Sequence, residues 1–209
     1  MSKLLKHIAV SGNIGSGKTT LTEKLAKHYA WAPLFEAVDD NPYLRDFYED
    51  MTRWAFHLQI YFLNSRFNQV RLIRESEKTI IQDRTIYEDA YIFAANLHKS
   101  GHINDRDYQS YLDIFHSMIN FVPPPDLLIY LKADIPKLVQ QIQRRNRDFE
   151  FNIKLDYLKT LNEHYEKWIG EYKGKMLVVD MNLLDFVKNI EDFSLIVGKV
   201  DLELNSLFG

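Results

Sequence analysis

The segment Gly12-Asn13-Ile14-Gly15-Ser16-Gly17-Lys18-Thr19 fits the pattern G-x-x-x-x-G-K-[ST], and it constrains the fold more than any other feature of the chain. An apolar run, His7–Val10, precedes it, and the helical pattern Thr20–Ala30 follows. That strand–loop–helix context lets a backbone wrap phosphate oxygens. Glycines remove side-chain clashes, successive N–H groups point inward, and the helix start adds its positive dipole end. Lys18 brings a cation to the terminal phosphates, and the Thr19 hydroxyl can ligate Mg²⁺. Gly12, Asn13, Ile14, Gly15, Ser16, Gly17, Lys18, Thr19 and Thr20 are therefore the candidate phosphate-binding residues. A chance match in a glycine-rich turn is the ordinary alternative, and the flanking elements weigh against it. The loop alone says what binds, not what is done with it.

The remaining pattern surrounds this loop with strands and helices in alternation. Leu5–Val10, Thr79–Gln82, Leu127–Leu131 and Met176–Val179 are short apolar runs of the kind buried in parallel sheets, and a fifth lies around Leu34–Glu36. Between them, helical spacing covers Lys18–Ala30, Arg53–Glu75, Tyr87–His98, Asp105–Phe121, Ile135–Arg145, Ile153–Tyr172 and Leu184–Lys199. This alternation predicts an α/β three-layer sandwich built on a five-stranded parallel sheet, in one domain spanning residues 1–209. Ligands in such sheets bind beyond the carboxyl ends of the strands. The Pro123–Pro125 triplet reads as a helix stop before a strand, not as a domain boundary.

Composition narrows the function classes. With 209 residues the chain can bury a core without staples, and with no cysteine it has neither disulfides nor thiolate metal sites. A net charge of −3 gives no footprint for a nucleic-acid polymer. No apolar run is long enough to span a bilayer, and the first residues read as a strand rather than a signal peptide. The expectation is a cytoplasmic protein with no membrane partner.

Polar residues recur at the predicted strand ends. Glu36 follows the apolar Ala32–Phe35, either as an acceptor for the proton of an attacking hydroxyl or, taken alone, as a solvated loop acid. Asp83-Arg84-Thr85 follows the third strand. An acid there can hold Mg²⁺, directly or through water, and Arg84 can offset transferring charge. Asp89 comes six residues later, in an early turn of the next helix, either as a dipole acid or as a ligand contact. On the long helix, Phe56, Gln59, Phe62, Leu63 and Arg66 share one face. An amide and a guanidinium in an aromatic stripe suit the edge of a nucleobase, with Phe62 available to stack on it. They equally suit snorkelling or backbone satisfaction. Arg144, Arg145 and Arg147 close a helical pattern, either as a solvated helix end or as a phosphate-clamping lid.

From Gly12 to about Trp168, the order and spacing of these pieces resemble the deoxynucleoside kinases, the family of deoxyguanosine, deoxyadenosine and deoxycytidine kinases, and above all its purine-preferring bacterial members. The resemblance implies a P-loop kinase fold with an arginine-rich lid at about residues 144–152. It also implies a homodimer packed through the long helices. The implied reaction is nucleoside salvage, in which ATP with Mg²⁺ phosphorylates the 5′-hydroxyl of a deoxynucleoside, deoxyadenosine first and then deoxyguanosine or deoxycytidine. Glu36 would be the base, with Arg84 and Lys18 as its catalytic companions. Tyr48 and Glu150 would share the sugar 3′-hydroxyl. Gln59, Phe62, Arg66 and Asp89 would form the base pocket, Thr19 and Asp83 the metal site, and Arg145 and Arg147 the lid contacts to ATP. The sequence departs from the family at Ala37, usually proline, at Asp83-Arg84-Thr85, often Glu-Arg-Ser, and at Gln141, often arginine.

Two other readings compete. A nucleoside monophosphate kinase resembling thymidylate kinase shares a phosphate loop, an Asp-Arg strand end and an arginine lid, but Glu36 would repel its acceptor phosphate. A regulatory switch of the GTPase type would carry D-x-x-G and N-K-x-D motifs, and neither occurs.

Overall fold

The structure is a computed structural model that describes residues 7–36, 41–145 and 153–208. Five strands, β1 (His7–Gly12), β2 (Ala32–Leu34), β3 (Ile80–Asp83), β4 (Leu127–Lys132) and β5 (Met176–Asp180), form one sheet in the order β2-β3-β1-β4-β5. Every pairing is parallel. The chain runs from β1 to the edge strand β2, returns to β3 between them, and then crosses to β4 and β5 on the other side of β1. The carboxyl end of β1 therefore lies at the reversal of strand order, where crevices open in such sheets.

Alternation along the strands decides the layers. Ile8, Val10, Ile81, Leu127, Ile129, Leu131, Leu177 and Val179 face one side. There they pack on α1 (Lys18–Tyr29), α7 (Ile135–Arg145) and α9 (Ile190–Phe208) through Leu21, Leu25, Leu138, Ile196 and Val200. Each such aliphatic side chain contributes ~1.5–3 kcal/mol when fully buried. The opposite face meets α3 (Met51–Glu75), α8 (Leu155–Glu171) and the segment Ile86–Lys99, with α6 (Asp105–Ile119) outside them. Among the described residues no helix is long and apolar enough to cross a membrane.

The expected elements are present, with three corrections and one expectation left outside the described residues. β2 runs over Ala32–Leu34 instead of Leu34–Glu36, so Glu36 sits in the loop just past the strand. Leu5 and Lys6, expected to open β1, lie outside the described residues. The expected helix Tyr87–His98 is instead α4 (Ile86–Glu88), a π-helical segment (Asp89–Ala94) and α5 (Ala95–Lys99), in which the Ala95 N–H reaches back five residues to the Ala90 carbonyl. The last helix begins at Ile190 rather than Leu184, because Asp185 and Asn189 draw nearby backbone N–H groups to their own oxygens. A short helix, α2 (Leu44–Glu49), was not expected. It buries Leu44 and Phe47, and its C-cap Asp50 also caps α3 by accepting from Arg53 N.

His7 opens β1 as a buried polar residue. Its ring is buried and Nε2 lies 2.9 Å from Gln82 Oε1. Burial lowers its pKa to about 4, with Gln82 and Asp126 opposing the shift. The folded state thus binds this proton less readily than the unfolded chain, so stability is full above about pH 6.5 and is lost as pH falls toward 4. The loss attributable to this group is on the order of 3 kcal/mol. His7→Asn is expected to flatten that part of the curve, read as the melting temperature of both proteins between pH 4 and 7. Parallel curves would remove His7 from the account of acid lability.

Candidate active site

β1 ends where the backbone must turn sharply. Gly15 has φ +83°, and a Cβ there would stand 2.8 Å from both the Leu138 carbonyl oxygen and an Ile142 side-chain carbon, so only glycine fits. Gly17, at φ +95°, caps the start of α1. Asn13 fastens the loop to α8 by donating from Nδ2 to the Leu158 carbonyl (3.2 Å) and to Asn162 Oδ1 (3.1 Å). Its own Oδ1 accepts from Ile14 N.

Lys18 is buried and donates from Nζ to the Asn13 carbonyl at 3.0 Å. Burial and then the neighbouring Arg84 charge lower its pKa to about 7, against the pull of Asp83, Glu88 and Glu36. Incoming phosphate would restore the charged form. Ser16 Oγ is buried without a partner among the described residues. Thr19 Oγ1 donates to Asp83 Oδ2 at 2.5 Å, while Asp83 Oδ1 is buried and unpartnered among the described residues. Thr20 lies on the same turn but outside the cavity wall.

Four segments converge on two arginines. Arg66, on α3 and 1% exposed, donates from Nη2 to Glu36 Oε1 (2.8 Å) and from Nη1 to the Asp83 carbonyl (2.9 Å). Its Nε faces Asp89 Oδ2 at 3.4 Å as an ion pair without hydrogen-bond geometry. Arg84 approaches Glu36 Oε1 at 3.3 Å, donates to Tyr165 Oη at 3.1 Å and lies 4.3 Å over the Phe93 ring. Its backbone is left-handed, with φ +69°, a strained conformation for a side chain of this size. Arg84 N holds that turn by donating to the Val10 carbonyl at 2.9 Å.

The two carboxylates flanking Arg66 are driven apart in acidity. Burial alone would raise the Glu36 pKa, but Arg84, Arg66, Lys18 and Arg145 together hold it below the ordinary carboxylate value. Asp89 is pushed up to about 7 by burial, which Arg66 and Arg84 only partly offset. One acid is therefore ionised across the neutral range and can accept a proton, while the other is poised to hold one.

A cavity of about 350 Å³ runs through these groups. Gly15, Lys18, Thr19 and Asp83 line it together with Glu36 and Arg84. Tyr48, Gln59, Phe62 and Asp89 line it too, with the apolar Phe47, Leu58, Phe93 and Tyr157. Gln59 is buried, and its Oε1 has no partner among the described residues. Arg145, in the last turn of α7, also reaches the wall. Arg66 stands one layer behind it, and Phe56 packs instead against the apolar cluster that holds Leu63, Tyr111 and Phe115. Arg147 and Glu150, with the rest of the expected lid from residue 146 to 152, lie outside the described residues.

The sequence reading missed Glu88. It is fully buried, accepts from Thr85 N (2.7 Å) and from Tyr165 Oη (2.8 Å), and braces the strand end that carries Asp83 and Arg84. Thr85-x-x-Glu88 is a capping-box signature, so a signal existed. Phe93, Tyr157 and Tyr165 carried no distinguishing pattern.

Comparison with known proteins gives the family of the chain. A family model described as "Deoxynucleoside kinase" matches residues 8–204. The chain is 44% identical to a deoxyadenosine kinase of Dictyostelium discoideum, over 87% of this chain and 74% of that protein. It is 39% identical to a deoxyadenosine/deoxycytidine kinase of Bacillus subtilis (strain 168), over 88% of each chain. Among solved structures, a deoxyadenosine kinase from M. mycoides with dCMP and a flexible dCDP bound superposes with a TM-score of 0.83 and 31% identity. That match covers 93% of this chain and 98% of the other. A phosphate loop, an ionised glutamate held between two arginines and a polar-edged aromatic pocket thus occur in one cavity of a chain that belongs to the deoxynucleoside kinase family.

Proposed function

We propose that the protein transfers the terminal phosphoryl group of ATP to the 5′-hydroxyl of a deoxynucleoside in nucleoside salvage, with deoxyadenosine preferred and deoxyguanosine or deoxycytidine next. The observation that carries this reading is the position of Glu36. It lies in one cavity between the phosphate loop and the Gln59–Asp89 pocket, ionised and clamped by Arg66 and Arg84.

Glu36 accepts the hydroxyl proton as the new P–O bond forms. Lys18 follows the charge that develops on the transferred group and the departing diphosphate, and Arg84 steadies the hydroxyl and its base. Arg145, with Arg147 beyond the described residues, closes on the donor phosphates. Gln59 reads the base edge, Phe62 and Phe93 border the ring, and Tyr48, with Glu150, takes the 3′-hydroxyl. Arg66 and Asp89 support the far side of that pocket. The preference for adenine over cytosine draws on relatives at 44% and 39% identity, one described as a deoxyadenosine kinase and the other as a deoxyadenosine/deoxycytidine kinase. The M. mycoides enzyme, described with dATP in one structure and dCTP in another, suits the same pair.

The residues present fit Mg²⁺. Asp83 offers a buried oxygen without a partner among the described residues and Thr19 offers its hydroxyl, a sparse donor set of the kind that holds this ion together with substrate phosphates. When bound it would neutralise charge on the donor phosphates. The cysteine-free composition suits the reducing cytoplasm to which we assign the reaction.

A deoxynucleoside monophosphate is the competing acceptor. Its phosphate would meet the ionised Glu36, which disfavours it. Turnover measured on the four natural deoxynucleosides and on dAMP tests both points. Deoxyadenosine is expected to be used best and dAMP not at all, and turnover of dAMP alone would sink the proposal. For the base, Glu36→Gln is expected to lower the single-turnover rate by ~10²–10⁴. A near-normal rate in that variant would remove Glu36 from the role.

We further infer a homodimer through α3 and α6, where Leu72, Ile114 and, just past the end of α6, Phe121 expose apolar surface. Light scattering is expected to give two chains for the native protein and one for Phe121→Glu. A monomeric native protein would end this reading.

A further inference from the structure

Gln69 lies on α3 one turn beyond Arg66, and its amide joins three segments. Oε1 accepts from Gln82 Nε2 at 2.7 Å and from Arg66 Nη1 at 3.3 Å. Nε2 donates to the Phe35 carbonyl at 2.7 Å, one peptide before Glu36. Gln82, fully buried on β3, turns its own oxygen toward His7 Nε2 at 2.9 Å.

The direction of every bond in this chain is forced. Arginine has no acceptor, so the Gln69 oxygen must face Arg66 and its NH₂ must face the carbonyl of Phe35. Gln82 must then present its NH₂ to Gln69 and its oxygen to His7. His7 must in turn carry its proton on Nε2. Buried and uncharged at neutral pH, that ring is a fixed terminus for the chain. A Gln69 amide turned the other way would set N–H against N–H at two contacts and oxygen against oxygen at the third.

The anchoring falls where the sheet ends. The β2–β3 register stops at Leu34↔Gln82. Phe35 and Glu36 lie beyond it, and the Glu36 side chain keeps 20% of its surface open to the cavity. Gln69 extends the hold by one residue through the Phe35 carbonyl. Through Arg66 it also grips the carboxylate of Glu36 from the other side.

We infer that Gln69 is a positioning residue for phosphoryl transfer, clamping the Phe35 carbonyl and the Arg66 guanidinium together so that Glu36 is held in place. This inference rests on Glu36 being the base. Gln69 touches no reacting atom and acts only through these two contacts.

Gln69→Met removes all three hydrogen bonds at nearly constant volume, and it is expected to lower the single-turnover rate about tenfold, as a small displacement of a reacting group does. The nucleoside KM is expected to move much less. The charged groups facing Glu36 are Arg66 and Lys18 on α3 and α1, Arg84 after β3 and Arg145 on α7. Loosening the contact to Arg66 weakens the hold that keeps Glu36 ionised. The acidic limb of the rate profile should therefore move to higher pH by about half a unit. Gln69→Glu keeps an acceptor for Arg66 and Gln82 but turns an oxygen toward the Phe35 carbonyl in place of the donor, and its rate should fall by more than any change in melting temperature accounts for. A native rate in either variant would overturn the inference, as would a rate loss in Gln69→Met with an unmoved acidic limb. If Gln69→Met does not fold, Gln69→Glu decides alone: a slow, stable enzyme supports the inference, and a native rate or a loss in proportion to melting temperature overturns it. Glu36→Gln measured alongside separates the two levels. An inactive Glu36→Gln beside a normal Gln69→Met removes only the clamp, whereas an active Glu36→Gln removes the base on which it rests.

Discussion

The guanidinium of Arg66 is the contact on which the site depends. It is 1% exposed and ties its own helix to the end of β3, to the loop after β2 and, through Asp89, to the π segment. A buried cation is costly unless its hydrogen-bonding groups are met, and removing one partner of such a pair costs ~3–5 kcal/mol. Arg66 has two carboxylates, a carbonyl and an amide oxygen around it; they meet both of its terminal nitrogens, leave Nε with the Asp89 charge alone, and fix four chain segments at once. The cavity wall is thus assembled from behind, by a residue that does not line it.

That arrangement also separates the two acids by environment. Glu36 sees Arg66 and Arg84 and keeps some contact with the cavity, so it stays ionised. Asp89 shares Arg66 from a fully buried position in which desolvation dominates, so its affinity for a proton rises toward neutrality. The π segment contributes to this placement. Its extra residue per turn widens the helix there, and Asp89 and Phe93, four residues apart, both reach the cavity wall.

Much of this was legible in the sequence. The glycine-rich loop between an apolar strand and a helix located the phosphate end, and alternating strand and helix patterns gave the sheet. The spacing of Gln59, Leu63 and Arg66 put all three on the buried face of α3. What was not legible depends on contacts between distant segments. Nothing in the local pattern around Arg66 says that it faces Glu36, thirty positions earlier, instead of the cavity. The π segment has no periodic signature, because one added residue in one turn hardly disturbs helical spacing. Helix α9 starts late because two acid or amide side chains outcompete the first helical turn, an outcome that propensity alone does not fix. Glu88 was legible as a capping box, but its meaning was not. Only the fold brings Tyr165 from α8 onto its carboxylate and so braces the strand end beneath the phosphate loop.

The strained turn at Arg84 follows from the same arrangement. The strand must end at Asp83 so that its carboxylate meets Thr19, yet the next side chain must turn toward Glu36. A left-handed residue makes that turn in one step. Glycine would adopt it without strain but would remove the guanidinium. The conformation is held from three sides: by the backbone bond to Val10, by the capping box that Thr85 and Glu88 form immediately after it, and by Tyr165 and Phe93 around the guanidinium. The local cost, of order 1–3 kcal/mol, is offset by contacts that also position the charge. Strain, capping box and buried tyrosine are therefore one device, and it keeps a cation against Glu36 from a strand end that already serves the phosphate loop.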